Sequence, residues 1–248
     1  NLDGGSRGTF AGGFSPSNSD RIDFITIPTQ GNATDFGNLL AAKGAAGNCA
    51  SNTRGFMGGG GGGGNVNTIQ FWEFSSTGDA VDFGDLQSAR HWTQPASNQT
   101  RGVWAGGHPG VNIIEFVTMA SAGDAVNFGD MSYATAVGAN SANNSPTRGF
   151  FGGGTPTNNN IIEFINFGST GNSMDFGDSS TQIAREARGS NATRALLIGG
   201  VRPEPSASTT IDFFTMSSLG NAVEFGDSGS ANSNSSGCSD CVRVAFAH

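Results

Sequence analysis

The sequence has little charge. Only 13% of its 248 residues are Asp, Glu, Lys or Arg, against the roughly 25% usual in globular domains. Lys43 is the only lysine and Tyr133 the only tyrosine, and there are three histidines and three cysteines. Net charge is −8 and no basic stripe occurs, so nucleic acid is not expected as a partner. No apolar run approaches the ~20 residues of a spanning helix, so membrane insertion is not expected. His91, His108 and His248 fall in unrelated places, with no Ser-His-Asp or metal-ligand spacing. No pair of acids stands out for glycoside hydrolysis. No enzyme, cofactor or metal site is therefore expected. The chain begins at Asn1 without a visible signal peptide, which suggests a removed leader or a piece of something longer.

What is abundant is Gly, with 40 residues, and Phe, with 19. Such a chain is either disordered or built of many short strands joined by tight turns. The Phe and Ile residues decide for strands, because they recur at a fixed period. Arg7, Arg54, Arg101, Arg148, Arg194 and Arg243 are spaced by 47, 47, 47, 46 and 49 residues. Each copy opens on a strand ending in glycines, as in Arg7-Gly-Thr-Phe-Ala-Gly-Gly13 and Arg101-Gly-Val-Trp-Ala-Gly-Gly107. Arg54-Gly-Phe-Met-Gly-Gly59 and Arg148-Gly-Phe-Phe-Gly-Gly153 are read the same way. An apolar strand with one embedded polar residue follows, at Asp23, Gln70, Glu115, Glu163 and Asp212. Then comes a Phe-Gly-Asp-like strand centred on Phe36, Phe83, Phe128, Phe176 and Phe225. A weaker stretch of small residues, such as Ala134-Thr-Ala-Val-Gly138, leads to the next Arg.

Three to four strands per ~45 residues make one propeller blade. The expected fold is all-β: one five-bladed β-propeller over residues 1–248, with repeats at about 6–52, 53–99, 100–146, 147–192 and 193–241. Residues 242–248 begin a sixth copy or form a closure strand. The order Gly106-Gly107, Phe116, Phe128, Met131 resembles the Kelch repeat, and the same order runs through all five copies. Phe replaces most of that family's Tyr and Trp. The Thr-Arg-Gly…Gly-Gly…Asp-Phe-Gly-Asp style is most similar to Kelch-like repeat proteins of tailed phages, marine ones especially. That resemblance implies a binding module on a virion or extracellular surface. With Tyr133 the sole tyrosine, the copper chemistry of Kelch-type oxidases is not implied.

Ser6–Gly13 and Val242–His248 are copies of one element, and both cannot fill one slot in a closed ring. Cys49 and Cys238 hold equivalent positions, five residues before the repeat Arg. Three readings stay open: a Cys238–Cys241 disulfide or two free thiols first, a Cys49–Cys238 bridge across the closure second, and a metal third.

Two groups of candidate residues follow. Arg7, Arg54, Arg101, Arg148 and Arg194, with Asp85, Asp130, Asp178 and Asp227, recur in the blades and read as structural, the Arg donating to carboxylates across blade seams. The embedded acids could hold a cation, but structure is again the favoured reading. Residues that break the repeat are better clues to binding, because loops carry function on a rigid scaffold. These are His91 and Trp92 in a linker, His108, Asn158 and Asn159, and Arg202. Trp72 and Trp104 read as core. The seven-glycine run Gly58–Gly64 reads as a mobile surface loop, since it lacks the Lys-Ser/Thr and the helix of a phosphate loop. The expected function is non-catalytic recognition of a cell-surface glycan, with avidity gained in an oligomeric assembly. The alternative is a structural or decoration protein docking onto another virion or surface protein. A carbohydrate-active enzyme comes last.

Overall fold

Alternating side chains and glycine-rich turns every few residues leave strands as the only regular structure along this chain. The computed structural model describes residues 6–14, 16–136, 141–155, 159–202, 206–239 and 244–247. Asn158, Cys241, Arg243 and His248 lie outside the described residues. The architecture is a five-bladed β-propeller of antiparallel sheets. Blade 1 has three strands, β1 (Arg7–Ala11), β2 (Ser19–Thr26) and β3 (Thr34–Lys43). Blade 2 has four: β4 (Gly47–Ala50), β5 (Arg54–Gly58), β6 (Thr68–Glu73) and β7 (Val81–Asp85). Blade 3 comprises β8 (Gln94–Ser97), β9 (Arg101–Ala105), β10 (Val111–Thr118) and β11 (Val126–Thr135). Blade 4 comprises β12 (Asn143–Asn144), β13 (Arg148–Gly152), β14 (Ile161–Asn166) and β15 (Met174–Asp178). Blade 5 comprises β16 (Ala187–Ser190), β17 (Arg194–Ile198), β18 (Ser208–Thr215) and β19 (Val223–Asn232). A hairpin, β20 (Ser236–Ser239) with β21 (Val244–Ala247), closes the chain.

The first strand of each four-stranded blade is the inner one, and it precedes the repeat Arg. Sheets are thus out of phase with the Arg-to-Arg repeat. Ala134 and Thr135 end the outer strand of blade 3, and the inner strand of blade 4 starts only at Asn143. Inner strands of successive blades are joined by hydroxyl-to-backbone bonds, such as Ser97 Oγ donating to Ala50 O (2.8 Å) and Ser190 Oγ to Asn144 O (3.0 Å).

Every blade carries a β-bulge at the same place. Ile69 faces Gly84 and Gln70 faces Asp82, so Phe83 is the extra residue. A bulge bends the strand and re-aims its side chain, and here it drives Phe83 into the seam with blade 3. Phe56, Phe83, Val117 and Met119 share one buried cluster there. Three further clusters fill the seams of blades 1 and 2, 3 and 4, and 4 and 5. Edge-to-face pairs such as Phe56–Phe83, with centroids 5.1 Å apart, each add about 0.5–1.5 kcal/mol beyond burial. Trp72 and Trp104 are buried in these seams.

The seams correct two expectations. Each repeat Arg lies over the Phe of its own blade, as Arg101 does over Phe116 at 4.6 Å. Four of them then donate to a backbone carbonyl of the next blade: Arg7 to Phe74 O (2.7 Å), Arg54 to Met119 O (2.9 Å), Arg101 to Phe167 O (2.5 Å) and Arg148 to Met216 O (2.9 Å). Among the described residues, only Arg54 of these also meets a carboxylate, Glu73 of its own blade. Asp85, Asp130 and Asp178 offer backbone N–H groups to Asp124, Asn172 and Asn221 of the following blade. Asp227 accepts from Thr209 Oγ1 within its own blade. The Arg stands at one end of its strand and the Asp at the other end of the sheet, about 16 Å away at ~3.3 Å per residue, so they cannot pair.

The glycine pair also shifts. The positive-φ residues are Gly59–Gly60 and Gly153–Gly154, in register with Gly12–Gly13, because each preceding strand needs five residues. The run Gly58–Gly64 is therefore divided: Gly58 lies in β5, Gly59 and Gly60 are buried, and Gly62–Gly64 are exposed.

At the closure, β21 pairs with β20, and among the described residues β1 pairs only with β2. Cys49 is a buried thiol without a bridge, so the Cys49–Cys238 link is not formed. It packs against Gly102 of the next blade, as Cys238 packs against Gly8.

Candidate functional site

Glycine-pair exits and blade-to-blade linkers meet on one face of the ring. Short bridges tie them together: Gly44 to Gly61, His91 to His108 and Ala184 to Val201. The linker before blade 3 is anchored by Arg90. Its guanidinium is buried against Glu115 (Nη2 to Oε1, 2.9 Å) and donates to Gly106 O (3.1 Å). With Arg90 drawn inward, the two residues after it are left to line the surface.

Two residues before the inner strand, four of the linkers enter the left-handed region. Ala45, Trp92, Arg185 and Asn234 hold this station, with φ of 54–60°. Such a conformation is strained for any residue other than Gly or Asn, and for a bulky one it points to function. Of the two large side chains at this station, Trp92 and Arg185, Trp92 is the aromatic one. Its N–H donates to Ala45 O (2.6 Å), which fixes the turn.

Around it lies an aromatic group. The His91 ring is 4.4 Å from Trp92 and stacks on His108 at 4.7 Å. His91 Nδ1 is 2.7 Å from Asn65 Oδ1. Burial, and then the neighbouring His108, hold the His91 imidazolium below its ordinary range. His91 and Trp92 border a pocket of about 460 Å³, completed by Phe14, Asn18, Lys43, Asn48 and Asn234, with His108 and Asn65 supporting the His91 ring from outside it. Phe14 is 73% exposed. A second pocket of about 380 Å³ shares Phe14, Asn48 and Asn234. Burial also lowers the affinity of the Lys43 ammonium for its proton, against the pull of Asp82 and Asp85. The combination of exposed aromatic faces, side-chain amides and one amine suits a polar ligand with an apolar face. Among the described residues, no group of three or more His, Cys, Asp or Glu side chains could hold a metal.

The structure thus brings His91, Trp92 and His108 together and leaves Asn159 and Arg202 apart. Arg202 is buried, donating to Asp212 Oδ2 (2.5 Å) and Gly199 O (2.9 Å), because the buried Asp212 needs a countercharge. Asn159 accepts from Ile161 N (3.3 Å) at a strand start and does not line the pocket. The embedded acids are likewise structural in their contacts. Glu115 accepts from Gln87 N (2.9 Å), Glu163 from Ser132 N (3.2 Å) and Asp212 from Ser180 Oγ (2.8 Å). Phe14, Asn18, Asn48 and Asn234 were missed as site residues. Phe14 alone carried a signal, an aromatic outside the repeated Phe columns.

No protein-family model matches this chain, and no curated protein matches it.

Proposed function

We propose that this protein is a non-catalytic recognition module whose site is the pocket bordered by Trp92, His91 and Phe14. The observation that carries this reading is Trp92 itself. An indole is held at a positive φ, which Asn234 fills at lower strain in the equivalent linker, and it lines a pocket. Retaining a large aromatic at a strained surface station is a local loss of stability, and ligand contact offsets it. The chemistry favours a sugar: aromatic faces stack on the apolar side of the ring, and Asn18, Asn48 and Asn234 reach its hydroxyls. The Kelch-like style of the repeat adds the setting, a virion or other extracellular surface, with the cell-surface glycan as partner and avidity from several copies.

Binding of the purified chain to a broad array of bacterial and marine polysaccharides tests this. Trp92→Ala should abolish binding while the circular dichroism stays that of the parent and the melting temperature stays close to it, since Ala keeps the same positive φ. Glycan binding that survives Trp92→Ala, or its absence across the array, would overturn the reading.

A further inference from the structure

The pocket at Trp92 shares a wall with its neighbour. Phe14, Asn48 and Asn234 line both the cavity of about 460 Å³ and the cavity of about 380 Å³. Trp92 and His91 belong to the first alone, and Ser17 and Ser19 to the second alone. Trp92 therefore stands at one end of the pair, Phe14 at the junction and the serines at the other end. Each cavity by itself falls in the range of roughly 300–1,000 Å³ that takes a small ligand.

The backbone fixes Phe14 at this junction. It follows the first glycine pair, the station held by Gly61, His108 and Val201 in other blades. Gly13 N donates to Lys43 O (2.9 Å), and Ser19 N donates to Gly13 O (3.0 Å). Phe14 itself bridges to Asn18. The loop is thus tied down on both sides of a ring that is 73% exposed, whereas Val201 at the same station is 4% exposed. An apolar ring held in water at a fixed point gains free energy from any ligand that covers it.

The amides around Phe14 are unspent. Asn48 Oδ1 is buried with no hydrogen-bond partner, and the Asn18 and Asn234 side chains make no hydrogen bond among the described residues. Elsewhere the fold uses such groups internally: Asn98 accepts from Arg101 N, and Asn172 and Asn221 accept from Asp130 N and Asp178 N. Turning the Asn48 amide toward a ligand hydroxyl therefore breaks no internal bond, and the new bond is not offset by a lost one.

We propose that the two cavities are consecutive subsites for a carbohydrate chain of at least two rings, and that Phe14 at their junction sets the length required. One ring lies against Trp92, the next passes over Phe14 toward the serines, and Asn48 and Asn234 take hydroxyls on either side of the linkage. The inference rests on the recognition reading above and adds the length of chain that the site selects. Once the first ring is seated, the second binds intramolecularly, so even a weak second subsite multiplies the affinity.

The probe is a ladder of one to six rings, cut by partial acid hydrolysis from the polysaccharide that binds most tightly on the array. It is titrated into the full chain by calorimetry, with ligand-observed NMR for the shortest members. Affinity should rise roughly tenfold or more from one ring to the length that fills both cavities, and then level off. Phe14→Ala, a change at an exposed side chain, should remove most of that step with the melting temperature kept, and Phe14→Trp should retain it. Equal affinity for one ring and six, or a step that survives Phe14→Ala, would overturn the two-subsite inference and leave the recognition reading standing. Failure of every polysaccharide on the array to bind would overturn both.

Discussion

Gly84→Ala and Gly226→Ala form a matched pair of perturbations. Both glycines sit at φ of 150° in equivalent Phe-Gly-Asp strands, so an alanine carries the same backbone strain at each, about 1–3 kcal/mol. Their surroundings differ. A Cβ at Gly84 would run into the Gly123 carbonyl, and backbone cannot rotate aside as a side chain would. Forcing that seam apart adds about 1–3 kcal/mol of overpacking and stretches the Gly123 N to Phe83 O bond. A Cβ at Gly226 meets nothing within 4 Å. Gly84→Ala should therefore lose about 1–3 kcal/mol more than Gly226→Ala. At about 2–4 °C per kcal/mol for a chain of this size, that is an extra fall of roughly 2–12 °C in Tm. Differential scanning calorimetry of both variants in one buffer measures it. Equal losses would refute the reasoning, because they would mean either that the seam yields freely or that Gly226 is covered as well.

Three further outcomes are expected. Glu115→Ala leaves the Arg90 guanidinium buried without its carboxylate and should lower stability by about 3–5 kcal/mol in a urea titration. His91 has its folded pKa depressed by burial and by His108, below the ordinary 6.5, so the unfolded chain binds the extra proton. Its contribution is full above about pH 6.5 and is lost as pH falls through the folded pKa; His91→Gln should flatten the stability profile there, as read by melting at successive pH values. The Cys49 thiol is pushed up by burial, so maleimide at neutral pH should leave it unmodified in the native chain and label it in denaturant, as checked by peptide mass spectrometry.

Much of this fold is written in short-range pattern. Strand alternation depends on residues two apart and turns on a few neighbours, so the 47-residue period, the three readable strands of each repeat and the five blades follow from the chain read alone. The linker Arg90-His91-Trp92 also stood out there, because its side chains break a column that is otherwise small or polar. What passes between blades was not legible in that way. The bulge that turns Glu115 toward Gln87, the choice of carbonyls over carboxylates by the repeat Arg residues, and the inward fold of Arg202 onto Asp212 all depend on twist and on stacking against a neighbour. The pocket likewise joins Phe14, Lys43, Trp92 and Asn234, residues from widely separated parts of the chain, at one place. The closure shows the division most clearly. Arg7-Gly-Thr-Phe-Ala11 and Arg243-Val-Ala-Phe-Ala247 are near-copies, so local pattern cannot distinguish them. Which of the two takes the edge of β20 is a competition between whole surfaces, and tertiary packing gives that edge to β21.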